Sequence, residues 1–135
     1  MNNANFRNQP LPQYAASVAL WILQITTAAV FLAAGFFKLS GNQTMVDAFT
    51  EIGIGQWFRY LTGAIEIAAA AMLFVPRLIV AGALLLVGTM VGAVAAHLFI
   101  IGGSPLVPLT LMVFNVAIFL GRTEQPPDTE VLREQ

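Results

Sequence analysis

Apolar residues run almost unbroken through most of this chain, and polar residues collect where the runs stop. A helix needs roughly 20 predominantly apolar residues to cross about 30 Å of hydrocarbon. Four stretches meet or approach that length: about Ala15 to Phe37, Trp57 to Val75, Leu78 to Ile101, and the shorter Leu106 to Leu120. The expected fold is all-α, a membrane-spanning antiparallel four-helix bundle over residues 15–122. Pro76-Arg77 predicts a tight turn between neighbouring spans. Gly102-Gly103-Ser104-Pro105 breaks the chain before the fourth span, and Pro105 and Pro108 suit its first turn. Residues 1–14 and 123–135 read as polar, disordered tails.

The connection from Ser40 to Gln56 carries its own pattern. Thr44 followed by Asp47 matches a helix-capping pair. Val46, Phe49 and Ile52 recur at helical spacing, with Asp47, Thr50 and Glu51 on the other side. This predicts a short amphipathic helix on the membrane surface between spans one and two. Trp57, Phe58 and Tyr60 fall where an interfacial aromatic belt belongs. The first span has a signal-peptide reading as well, but it exceeds the usual h-region and three spans follow, so a retained span is expected.

Composition agrees. Hydrophobic residues make up 58% and charged residues 10%, against about 25% charge in ordinary soluble domains. Six basic and seven acidic residues give a net charge of −1, which offers no basic face for nucleic acid. The chain has no cysteine, so disulfides, thiolate metal sites and dithiol chemistry are excluded within it. With four spans, Arg7, Arg77, Arg122 and Arg133 share one side and Lys38 and Arg59 the other. The positive-inside rule then places both termini in the cytoplasm.

Polar side chains within spans face the bundle interior, where partners can satisfy them. On span one Gln24, Thr27, Phe31, Gly35 and Lys38 share a face. Span two offers Arg59, Thr62, Gly63, Glu66 and Ala70; span three Thr89, Ala93 and His97; span four Pro108, Leu111 and Asn115. By helical rise, Glu66 lies about 13 Å and His97 about 6 Å from the outer ends of their spans. Lys38, Arg59, Glu66 and His97 are thus expected to converge in the outer half as a polar, ligand-binding pocket. Gln24 and Asn115 lie nearer the midplane. Each has a plainer reading: Glu66 in an ion pair with Lys38 or Arg59 that orients helices, Lys38 snorkelling at a helix end, Arg59 as an interfacial anchor, His97 as a hydrogen-bonded structural residue, Asn115 and Gln24 as interhelical bonds.

Other patterns carry less. A single histidine offers no multi-histidine metal or haem site. Gly88-x-x-x-Gly92-x-x-x-Ala96 permits close helix approach, most simply against a neighbouring span and otherwise against a second copy in a homo-oligomer. Gly53-x-Gly55 lacks the third glycine and the preceding strand of a nucleotide fingerprint. Asn42-Gln43-Thr44 is a glycosylation sequon almost on the membrane.

Ala34-Gly35-Phe36-Phe37-Lys38-Leu39 resembles the Gly-x-x-Lys-Leu signature of DoxX and DoxX-like membrane proteins. Leu61-Thr62-Gly63-Ala64-Ile65-Glu66 is similar to their Gly-x-x-Glu element. Pro76-Arg77 and Gly92-Ala93-Val94-Ala95-Ala96-His97 follow in the same order, so the likeness covers roughly Ala15 to Arg122. The resemblance implies a four-helix membrane bundle and an association with membrane redox assemblies, including quinone-linked ones. No cofactor motif, nucleophile or metal set stands out, so catalysis by this chain alone is not expected. The leading expectation is an accessory or partner-binding subunit, with a quinone as the candidate ligand and the lipid bilayer and a redox protein as partners. A structural or chaperone-like protein is the first rival, and a small-solute or proton transporter the second.

Overall fold

The computed structural model describes residues 11–124, and every regular element in that range is helical. In order these are α1 (Leu11–Ser40), α2 (Gln43–Ile52), α3 (Gln56–Met72), α4 (Ile79–Ala96), a π turn (His97–Ile101) that continues α4, and α5 (Leu106–Thr123). Three stretches are long and apolar enough to cross a membrane: Ala15–Ser40, Ile79–Ile101 and Leu106–Thr123. α3 is shorter, 17 residues, and carries Arg59 and Glu66.

Helix ends differ from the expected spans for local reasons. α3 stops at Met72 rather than Val75. Beyond it Phe74, Val75 and Leu78 donate to the carbonyls of Ala71, Met72 and Val75, three residues back. Pro76 has no N–H to continue a helical ladder. α1 and α5 run three residues past Phe37 and Leu120, and α1 begins at Leu11, inside the stretch read as a polar tail. The rest of the two expected tails, residues 1–10 and 125–135, lies outside the described residues.

The amphipathic α2 is present, with Phe49 buried and Asp47, Thr50 and Glu51 exposed. Its cap is Asn42, not Thr44: the Asn42 side chain accepts the Thr44 N–H at 3.1 Å. An N-cap asparagine satisfies one of the first-turn donors in this way. Gly53 closes the helix in the left-handed conformation, φ 79°, which a residue without Cβ adopts at no steric cost.

α1 packs against α3 and α5, and α4 packs against the same two, so the long helices close a cycle α1–α3–α4–α5. α2 lies chiefly on α3. The enclosed core includes Phe31, Leu73, Leu86, Met90 and Ile118 with small alanines between them. Ile22, Leu84, Val91, Phe99 and Val107 point outward and are exposed, an arrangement suited to lipid and costly in water.

Three of the four expected inward stripes face the interior, each with one half-buried member: Lys38, Thr62 and Leu111. The exception is α4, which turns Ile79, Gly82, Ala83, Leu86 and Met90 inward. Thr89 stays at the margin and bonds the carbonyl of its own Leu86. A threonine that satisfies itself along its helix does not need the interior. Gly88 and Gly92 also depart from expectation: nothing lies within 4 Å of a Cβ built on either. They face outward, so packing against a neighbouring span of the same chain does not explain them.

Candidate functional site

The site begins with two glycines. A Cβ on Gly35 would sit 2.8 Å from the Gly63 carbonyl oxygen, and one on Gly63 would sit 3.0 Å from the Lys38 Cβ. α1 and α3 therefore touch backbone to backbone, which only glycine allows. One turn further along each helix, this contact sets Lys38 over Glu66. Lys38 Nζ donates to Glu66 Oε2 at 2.6 Å, with the side chains 13% and 2% exposed.

Arg59 completes the cluster. It is 3% exposed, and its guanidinium carbon lies 4.3 Å from the centroid of the exposed Tyr60 ring. Its Nη1 donates to the Lys38 carbonyl, in the last turn of α1, and its Nε donates to Gln56 Oε1 at 2.6 Å. Gln56 in turn donates through Nε2 to the Val46 carbonyl and to Thr50 Oγ1, both at 3.0 Å and both on α2. One hydrogen-bonded network thus runs from α2 through Gln56, Arg59 and Lys38 to Glu66. Such a network holds each head group in one place, because moving any member strands its neighbour.

The other candidates are placed elsewhere. His97 is half-buried in the π turn and its Nδ1 meets the Gly102 carbonyl at 3.1 Å. It has no hydrogen bond or ion pair with Lys38, Arg59 or Glu66. Gln24 forms a second, separate cluster: its Nε2 donates to the Leu73 carbonyl, while its Oε1 accepts from Arg122 Nε at 3.0 Å. It does tie helices together, as expected. Asn115 does not: its amide donates to the Leu111 carbonyl of its own helix, and its Oδ1 is buried without a hydrogen-bond partner, as is Thr27 Oγ1.

Two residues escaped sequence reading. Gln56 lies three positions before Arg59, so extending the α3 stripe back one turn would have found it. Arg122 lies seven after Asn115, on the continuation of the α5 stripe, and it also stacks 4.8 Å from the Trp21 ring centroid. Among the described residues no group of three or more His, Cys, Asp or Glu could hold a metal ion. Chemically, the cluster offers an ammonium and a guanidinium beside one carboxylate at the edge of the helix cycle.

The family model of DoxX-like proteins matches residues 22–120. No curated protein and no solved structure matches.

Proposed function

The chain belongs to the DoxX-like family, and from that premise we propose that it is an accessory or partner-binding subunit of a membrane redox assembly. In this reading the Lys38–Glu66 pair holds the polar head of a small membrane-soluble molecule. The observation that carries it is the pair's setting: Glu66 is buried, Lys38 reaches the edge, and a second layer of Arg59 and Gln56 fixes them. A buried ion pair is seldom more stable than apolar packing of the same volume, so such an investment of polar groups points to use rather than to stability. A quinone fits this donor set. Lys38 bonds only Glu66 through its ammonium among the described residues, and an ammonium has three N–H groups, so donors remain for a carbonyl oxygen.

We read α1, α3, α4 and α5 as four antiparallel spans with both termini cytoplasmic in a bacterial inner membrane. The 17 residues of α3 rise about 26 Å, and the turns of residues 73–78 extend that reach toward the roughly 30 Å core. The structural rival has its own support, since the pair sits where Gly35 and Gly63 bring the two backbones together.

Gentle extraction into nanodiscs followed by mass spectrometry separates the readings. A small molecule or oxidoreductase retained by the wild type and lost in Glu66→Gln is the expected result. A chain carrying only bulk lipid, with Glu66→Gln melting lower and no ligand restoring it, would leave the clamp as the better account.

A further inference from the structure

The polar cluster is not electrically balanced. Glu66 is engaged by Lys38, and among the described residues no carboxylate lies within 4 Å of Arg59. After Glu66, the next acidic residues along the chain, Glu51 and Asp47 on α2, are exposed, and Asp47 is held by the Gln43 amide at 2.7 Å. Arg59 is nevertheless buried. Placing an arginine out of water without a counter-charge is costly.

The helix ends do not supply that counter-charge. Arg59 Nη1 meets the last turn of α1, whose carbonyl end is worth about half a negative charge. Through Gln56, the guanidinium also lies against the first turn of α3, whose amide end contributes about half a positive charge. Gly55 caps that end with no side-chain hydrogen bond. Neither helix end carries a full negative charge, and with Lys38 and Arg59 against Glu66 alone the cluster keeps a net positive charge. Arg59 Nε and Nη1 are bound, and among the described residues no hydrogen bond reaches Nη2. The exposed Trp57 and Tyr60 flank the arginine in sequence, residues that settle at the headgroup level of a bilayer.

We propose that Arg59 is a binding site for a phosphate-type anion, supplied by the headgroup of an anionic phospholipid. The inference goes beyond the quinone reading of the Lys38–Glu66 pair: it adds a second ligand class, held by Arg59 at the same cluster. A guanidinium fixed on two sides presents its remaining N–H groups to a phosphate oxygen as a charge-assisted donor.

The test uses the full chain in nanodiscs of phosphatidylcholine alone or mixed with phosphatidylglycerol, read by native mass spectrometry and thermal melting. The wild type should retain phosphatidylglycerol preferentially, and Arg59→Gln should lose about tenfold of that preference, the worth of one charged hydrogen bond. Arg59→Lys should keep part of it, and Arg77→Gln, in the turn between α3 and α4, all of it. Inorganic phosphate added to phosphatidylcholine nanodiscs reports a soluble source: stabilisation of the wild type but not of Arg59→Gln would assign the same chemistry to free phosphate. Equal retention in wild type and Arg59→Gln, or no response in either arm, overturns the inference. Should Arg59→Gln fail to fold, Glu66→Gln decides. Removing the negative charge should tighten the anion, and unchanged or weaker binding would overturn the proposal. A neutral ligand lost in Glu66→Gln, with no anion preference anywhere, would sink the anion site and leave the proposed function standing.

Discussion

At the scale of single residues, the Lys38–Glu66 pair makes the sharpest demand. Removing one partner leaves the other charge buried and alone, which typically costs about 3–5 kcal/mol, whereas replacing both with apolar groups is often close to neutral. Lys38→Met should therefore lower the melting temperature more than the double variant Lys38→Met with Glu66→Leu. A double-mutant cycle in detergent would check it, and additive losses would show that the two groups are not coupled. Asn115 gives a contrast with Gln24. Gln24 bonds the Leu73 carbonyl and Arg122, so Gln24→Leu removes both bonds and should cost about 1–3 kcal/mol. Asn115→Leu removes an oxygen that has no hydrogen-bond partner and should cost less. Both polar residues were legible in sequence as inward-facing, because a polar group on an apolar helix has one inexpensive direction to point. Their different partners were not legible, since those depend on which carbonyl comes within reach.

At the scale of elements, glycines decide where helices meet. Gly63→Leu would drive a side chain into Lys38 and Leu39, 3.0–3.2 Å from where even a Cβ would stand. It should part α1 from α3, break the Lys38–Glu66 bond and cost about 1–3 kcal/mol, as overpacking does. Gly92→Ala meets nothing within 4 Å and removes a helix-weakening glycine, so it should be neutral or stabilising by up to about 1 kcal/mol. Thermal unfolding of the two variants side by side tests the assignment of inner and outer faces. The periodicity of α1, α3 and α5 revealed these faces because each carries a polar residue. α4 has no such marker among its buried residues, and of the stripe Thr89, Ala93 and His97 only Ala93 packs against the core.

At the scale of the whole molecule, thiol labelling tests how the helices lie in the membrane. The chain has no cysteine, so single cysteines report against a silent background. If the four long helices are antiparallel spans with cytoplasmic termini, Ser104→Cys should react with a membrane-impermeant thiol reagent from outside intact cells. Arg77→Cys should react only after the membrane is opened. Labelling of both positions from the same side would remove the four-span topology and leave the three long apolar stretches to account for the crossing.

The apolar runs by themselves determined that this is an all-helical membrane protein, where most of its helices lie, and which residues on α1, α3 and α5 face inward. Those properties are set within one helix by length, hydropathy and a 3.6-residue period, so no knowledge of neighbours is needed. Only the tertiary structure decided that α1 meets α3 through Gly35 and Gly63, that Lys38 chooses Glu66, that Gln56 locks Arg59 against α1, and that His97 turns to its own loop. Each of those outcomes depends on which helices adjoin and at what register. That is a property of packing between distant segments, to which the period of a single helix is indifferent.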